Sequence, residues 1–283
     1  MSSSSRRALF AAALCSALVH AAAARADEPP AHVHGGGDAS DAGAKVPEHQ
    51  KHPLDPRAPK PTGKAIDLEV GTGTAKGYVA RPNGKVQGAI LVLHEYWGLN
   101  DWVKHQADLL AKDGYLALAV DLYKGKVTAD PKEAVELMTD KDDKWDGEVE
   151  AAGLAWLKTN AKGAKLATIG WCMGGGESLK ASLAGAKDVS ATVIYYGLPA
   201  TDVEKLKTLQ GPILGIYANQ DGWITKDKVA AFDKALTEAG VKHEFHAYDA
   251  DHAFANPSSG RYQVEAAKDA WKKTETFLAT NLK

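Results

Sequence analysis

Residues 166–177 read Leu166-Ala167-Thr168-Ile169-Gly170-Trp171-Cys172-Met173-Gly174-Gly175-Gly176-Glu177, an apolar run entering a glycine-rich turn and then a helical stretch. Gly170-Trp171-Cys172-Met173-Gly174 has the form Gly-x-Cys-x-Gly, where a nucleophile elbow carries Gly-x-Ser-x-Gly between a strand and a helix. Such a turn is tight, so the residues flanking the nucleophile must be nearly free of side chain for strand and helix to close around it. Gly170 and Gly174 meet that demand. Cys172 then stands at a helix N-terminus, where partial positive charge and exposed N–H groups favour a thiolate. The competing reading is a turn that merely needs small residues; four glycines around a cysteine favour the nucleophile.

Working outward, short apolar runs alternate with amphipathic stretches. Ala65 to Val70 and Ala75 to Ala80 read as an antiparallel pair joined through Gly71 and Gly73. Ala89 to Leu93 is continuously apolar, as strands covered on both faces are. Further strands are expected at Tyr115–Val120, Leu166–Ile169, Ala191–Tyr196, Pro212–Ala218 and His243–Tyr248. Helices are expected from Asp101 toward Asp113, with Gly114 as C-terminal cap, and at Gly147–Thr159, Glu177–Leu183, Lys226–Ala239 and Gln263–Thr280. This order predicts one α/β domain over 64–283, a mostly parallel sheet with helices on both faces, whose ligands sit at the carboxyl ends of the strands.

A thiol nucleophile needs a base and a group to orient that base, in the chain order nucleophile, acid, histidine. Asp221 follows the strand ending at Ala218, and His252 follows the strand ending at Tyr248, so both arrive at the sheet edge that carries Cys172. Asp249 and Asp251 share the loop of His252 and suit capping the turn better. His243 and His246 lie on a strand and His105 on a helix; His94, which ends the first core strand, is the rival base. The developing oxyanion calls for the Met173 N–H and one from the loop His94-Glu95-Tyr96-Trp97-Gly98, assigned to Tyr96. Trp97, Tyr123, Trp171, Trp223 and Phe254 fall near strand ends and are candidates to line an apolar pocket.

The remaining chain bounds the setting. Arg6 and Arg7 precede an apolar run from Ala8 to Val19 and then Ala24-Arg25-Ala26, the pattern of a cleavable secretory signal over 1–26. The run is shorter than the roughly 20 residues a membrane-spanning helix needs, so no stable membrane insertion is expected after cleavage. Ser5-Arg6-Arg7 matches twin-arginine export loosely, and Sec export fits as well. Cleavage removes Cys15 and leaves Cys172 as the one thiol in an exported, periplasmic or secreted protein, where a lone sulfur is either deeply buried or used. Residues 27–63 are rich in Pro, Gly and His without apolar periodicity and read as a flexible leader. Its His32, His34, His49 and His52 are read as solvated side chains rather than metal ligands. Charge is balanced, 34 Lys and Arg against 36 Asp and Glu, which offers no global attraction to nucleic acid.

With these residues in place, the chain from Lys64 to Leu282 resembles the dienelactone hydrolase family of α/β-hydrolases. The matching pieces are Glu95-Tyr96-Trp97-Gly98-Leu99-Asn100, Asp121-Leu122-Tyr123, the elbow itself, Tyr195-Tyr196-Gly197, Asp221 and His252-Ala253-Phe254. The resemblance implies a Cys-Asp-His triad on Cys172, Asp221 and His252 that opens an ester or lactone through a thioester. It also implies that Glu95 stands beside the resting thiol and helps control its protonation. The sequence departs from the family in one respect: no arginine occurs from residue 82 to 260, and Asn256 stands where the family carries one after its His-x-Phe motif. Guanidinium groups are the natural bidentate partners of a carboxylate, so the expected substrate is a small ester or lactone, and dienelactone itself is not expected unless Arg261 or Lys124 substitutes for the missing arginine. No metal or organic cofactor is required. A thioesterase or sugar-ester deacylase with the same triad, and a non-catalytic ligand- or metal-binding protein on the same fold, are the alternatives.

Overall fold

The computed structural model of the protein describes residues 60–71 and 73–283. The expected signal segment, and the expected leader as far as residue 59 with its four histidines, lie outside the described residues. Two short strands open the fold, β1 (Lys64–Val70) and β2 (Gly73–Ala80), paired antiparallel as expected. Then follow β3 (Gly88–Leu93), α1 (Asp101–Lys112), β4 (Tyr115–Val120), α2 (Pro131–Thr139), α3 (Asp143–Asn160), β5 (Leu166–Trp171) and α4 (Met173–Ala184). The second half runs β6 (Val189–Tyr195), α5 (Val203–Leu206), β7 (Ile213–Ala218), α6 (Lys226–Ala239), β8 (His243–Tyr248) and α7 (Val264–Leu282). The strands form one sheet in the order β1-β2-β4-β3-β5-β6-β7-β8. Pairing is antiparallel for β1–β2 and β2–β4 and parallel everywhere else.

Period-two alternation divides the central strands between two cores. Ile90, Val92, Ile169 and Val193 meet Trp102 and Val103 of α1 and Phe277 and Leu278 of α7 on one face. On the other, Leu91, Leu93, Leu118 and Val120 meet Val149, Leu154 and Leu157 of α3. Every residue of β3, β4 and β5 is buried, which is why these strands read as unbroken apolar runs.

Helix boundaries depart from the sequence expectation in a consistent way. The helix expected at Gly147–Thr159 starts at Asp143, because Asp142 caps it by accepting the N–H groups of Lys144 and Trp145 at 3.1 and 3.2 Å. That expected at Glu177–Leu183 starts at Met173, immediately after the turn. Glycines 174–176 argue against the second start, and close packing against neighbouring backbone overrules them. Helix α2 was not anticipated, although Asp130 as N-cap and Pro131 at the first position are ordinary start signals. Among the described residues, no helix is long and apolar enough to cross a membrane.

Candidate active site

The carboxyl ends of six strands converge on Cys172. The elbow has the strained geometry that its sequence demands: Cys172 has φ +55° and ψ −121°, donates its N–H to the Tyr195 carbonyl at 3.0 Å, and accepts the Gly175 N–H at 3.0 Å. A Cβ on Gly170 would meet the Gly174 carbonyl oxygen at 2.0 Å, and one on Gly174 would meet the Leu93 and His94 carbonyls at 2.4 Å. Both glycines are thus required by backbone contact rather than by flexibility. Beneath the turn, the hydroxyls of Thr168, Ser178, Ser182 and Thr192 form a buried network with the Ser178 and Val193 carbonyls at 2.7–3.0 Å. It ties α4 to β5 and β6, and nothing in the sequence reading singled it out.

Asp221 and His252, 31 residues apart, meet as expected: His252 Nδ1 lies 2.6 Å from Asp221 Oδ2. The other carboxylate oxygen accepts the N–H groups of Trp223 and Ile224, each at 2.8 Å. Burial alone would raise the Asp221 carboxyl, but the hydrogen bond and charge of His252 and the two peptide donors hold it below the usual range. For His252, burial opposes charge on the ring, yet the Cys172 sulfur and the Asp221 carboxylate outweigh it and push the imidazole up to about 10. The sulfur acts through its charge and through a contact with the ring that lies outside ordinary hydrogen-bond geometry. Asp251, the rival acid, accepts the His252 N–H at 2.7 Å and pairs with Arg261 at 3.3 Å. Its carboxylate therefore serves the loop backbone, not the ring.

His94 has both ring nitrogens engaged. Nδ1 is 2.6 Å from the Glu95 carbonyl, and Nε2 accepts the Leu122 N–H at 3.1 Å. A carbonyl requires a proton on Nδ1, a peptide N–H requires a lone pair on Nε2, and full burial lowers the ring's affinity for a second proton. This histidine is a neutral pin that fixes the 94–98 loop, so the rival base drops out on hydrogen bonding. Tyr96 belongs to that pinned loop, and Met173 opens α4.

Glu95 is 2% exposed. Its Oε2 accepts a hydrogen bond from Asn256 Nδ2, while Oε1 makes none. Asn256 is oriented in turn by its Oδ1, which accepts the Ser258 N–H and hydroxyl at 2.9 and 2.6 Å. Burial raises the Glu95 carboxyl to about 7, against the lowering effects of Asn256 and His252. A carboxyl that binds its proton more tightly folded than unfolded makes the fold less stable as pH rises from about 4.5 to about 7. Glu95→Gln is accordingly expected to match wild type near pH 4 and to exceed it by up to about 3 kcal/mol above pH 7. Denaturant unfolding at the two pH values checks this; equal stability at both would show that the carboxyl titrates normally.

The five aromatic candidates separate. Trp97 and Trp223 are partly exposed; Trp97 packs on the Tyr96 ring at 4.3 Å, and the Trp223 ring lies 5.4 Å from His252. Tyr123 is buried, packs edge-on to His94 at 4.8 Å and donates its hydroxyl to Met173 Sδ at 3.0 Å. Trp171 packs on Trp102 and Tyr195 in the core, and Phe254, fully buried, on Tyr196 and Tyr248. These last two support the site from behind. Asp121 anchors its loop by accepting the Tyr123 and Gly125 N–H groups.

Backbone strain marks the same place. Among the described residues, the non-glycine residues with positive φ are Lys124, Cys172, Tyr196 and Ala253, which follow β4, β5, β6 and β8 at the carboxyl edge. Conformations of this kind cost about 1–3 kcal/mol each and cluster at functional sites. By contrast, a cleft of about 600 Å³ lined by Thr62, Arg81, Lys85, Asp108, Lys112 and Gly114 lies at the opposite, amino edge of the sheet. It is lined by none of Cys172, Asp221 and His252. Among the described residues, Asp143, Asp146 and Glu177 stand close enough to hold a cation. The Lys141 ammonium already occupies that position, 2.5, 2.9 and 3.0 Å from the three carboxylates.

Sheet order, elbow and convergent strand ends define an α/β-hydrolase. The sequence profile of the dienelactone hydrolase family matches residues 75–282, and the chain belongs to that family. It is 31% identical over 245 residues to a Saccharolobus solfataricus protein named "Putative carboxymethylenebutenolidase", covering 72% of this chain and 93% of that one. It is also 31% identical to protein usf of Aquifex pyrophilus, over 76% of this chain and 97% of that one. The dienelactone hydrolase structure from Anabaena variabilis superposes with a TM-score of 0.62 at 20% identity, over 79% of this chain and all of the other.

Proposed function

We propose that this protein is an exported cysteine hydrolase that cleaves an uncharged carboxylic ester or lactone through a thioester on Cys172. The observation that carries this reading is the 2.6 Å contact between His252 and Asp221 at the carboxyl edge that also presents the strained Cys172 turn. In acylation His252 holds the thiol proton, the sulfur attacks the carbonyl carbon, and the Met173 and Tyr96 N–H groups receive the oxyanion. His252 then passes its proton to the leaving alkoxide. In deacylation it takes a proton from water, whose oxygen attacks the thioester; the C–S bond breaks and the sulfur departs with the electron pair. Export rests on the signal pattern of residues 1–26.

Preference for an uncharged substrate is supported by how the nearby polar groups are already committed. Asn256, at the position where an arginine is expected, gives its amide to Glu95. Arg261 is paired with Asp251, and Lys124 lies 4.8 Å over the Trp145 ring. Arg261 engages Asp251 through Nε, and the Lys124 ammonium would offer a substrate carboxylate a point charge without a guanidinium's fork.

The test is kcat/KM on matched esters and lactones with and without a carboxylate, together with intact-mass detection of acyl-enzyme after rapid quench. Expected are an adduct on Cys172 and a preference of about tenfold or more for uncharged members. Preference for carboxylated lactones would overturn the substrate class; turnover without any adduct on Cys172 would overturn the thioester route.

A further inference from the structure

Eight buried side-chain polar atoms lack a hydrogen-bond partner among the described residues, and three of them, Glu95 Oε1, Tyr196 Oη and His252 Nε2, belong to residues that follow β3, β6 and β8 at the carboxyl edge carrying Cys172. Leaving a buried polar group unpaired costs about 1–3 kcal/mol, so three in one place call for a ligand that pairs with all of them. The groups are mutual neighbours. The Tyr196 ring lies 5.0 Å from the His252 ring and 5.7 Å from Phe254, and Glu95 lies within electrostatic reach of both Tyr196 and His252.

Tyr196 is held there at a cost. It is fully buried, it has φ +37°, and its N–H is fixed by the Ile216 carbonyl at 2.7 Å. An aromatic residue in left-handed backbone is strained, and packing alone is satisfied by a relaxed one. Its phenol is driven well above the usual range by burial, with the charges of Glu95 and Cys172 adding to it, so the hydroxyl keeps its proton and remains a donor. The Ala255 peptide N–H, directed at the phenol oxygen, works against this shift, and the hydroxyl proton has no acceptor. Glu95 Oε1 offers an acceptor, and His252 Nε2 accepts once the ring has released its proton to the leaving group.

We infer that Tyr196 Oη, Glu95 Oε1 and His252 Nε2 together hold the water that hydrolyses the thioester, making Tyr196 a deacylation residue. One donor and two acceptors match the lone pair and two hydrogens of a single water molecule. The tyrosine donates to the water oxygen, Glu95 accepts one hydrogen and His252 the other. As the oxygen bonds to the carbonyl carbon, His252 takes its hydrogen as a proton and the C–S electron pair returns to sulfur. The acid product leaves with the remaining hydrogen or loses it to solvent. This inference rests on the thioester route proposed above.

Tyr196→Phe removes the hydroxyl and keeps the ring that packs on His252 and Phe254. Stopped-flow and rapid-quench measurements with p-nitrophenyl butyrate separate the two half-reactions. The burst rate and kcat/KM, which report acylation, are expected to stay within about twofold of wild type, while kcat and KM both fall about tenfold or more and acyl-enzyme accumulates. A burst slowed as much as turnover would assign the hydroxyl to acylation, and an unchanged deacylation rate would remove it from the mechanism; either overturns the inference. Absence of any acyl adduct in wild type would instead strike the thioester route itself, so the two failures are distinguishable.

Discussion

Cys172→Ala is expected to lower kcat/KM on an uncharged aryl ester by about 10⁵-fold, with its unfolding midpoint near that of wild type. The sulfur makes no hydrogen bond that the fold depends on; the turn is held by the Cys172 N–H to Tyr195 and by the Gly175 N–H to the Cys172 carbonyl, both of which alanine keeps. Alanine also meets the φ of +55° no worse than cysteine does. On the proposed thioester route the side chain contributes chemistry rather than stability, and the variant separates the two. Residual hydrolysis within about tenfold of wild type would place the nucleophile elsewhere and leave the strained turn without a use. Rapid alkylation of wild type by iodoacetamide, lost at low pH, is the accompanying signature of a sulfur coupled to the imidazole of His252.

Asp221→Asn is expected to cost about 10³–10⁴-fold in kcat with little change in fold. The reason lies in how the carboxylate is held. One oxygen accepts the Trp223 and Ile224 N–H groups and the other faces His252 Nδ1. An asparagine must keep its single oxygen on the two peptide donors, which turns its NH₂ toward His252. The imidazole then presents a lone pair at Nδ1 and carries its proton on Nε2, where it cannot accept one from the thiol or from water. Loss of the carboxylate also removes part of what raises the His252 imidazole, so the affinity of the ring for its proton falls. Activity of the variant near that of wild type at neutral pH would show that another group orients His252.

Much of the site was legible because its parts are local. The elbow is a contiguous motif whose glycines are demanded by a tight turn, and the structure shows the contacts responsible, from a Cβ at Gly170 or Gly174 to neighbouring carbonyls. Asp221 and His252 could be paired because strands that alternate with helices deliver their carboxyl ends to one edge. The strands were readable by the same logic, since a run buried on both faces has no polar interruptions. What misled was glycine inside helices. The glycines after Met173 hid the start of α4, where close packing overrides propensity, and the Asp142 cap extends α3 four residues ahead of Gly147.

His94 shows where sequence stops. Its position at a strand end made it a credible base, and only the groups around it, the Glu95 carbonyl on one nitrogen and the Leu122 N–H on the other, identify it as a pin. Tyr196 is the reverse case: Tyr195-Tyr196-Gly197 is visible in the sequence, yet neither the positive φ nor the unpartnered hydroxyl can be. Asn256 likewise reads as a missing arginine, and folding reveals it as the partner of Glu95.

The sequence by itself determined the α/β architecture, the strained turn at Cys172 and the chain order of its acid and histidine, because periodicity and glycine sterics act between neighbours in the chain. Tertiary structure decided which histidine is free to move a proton, which carboxylate is buried with a proton affinity near neutrality, and which polar atoms are left facing the sulfur. Those properties depend on hydrogen-bond partners and burial supplied by residues far away in the chain, as between Glu95 and Asn256, 161 positions apart.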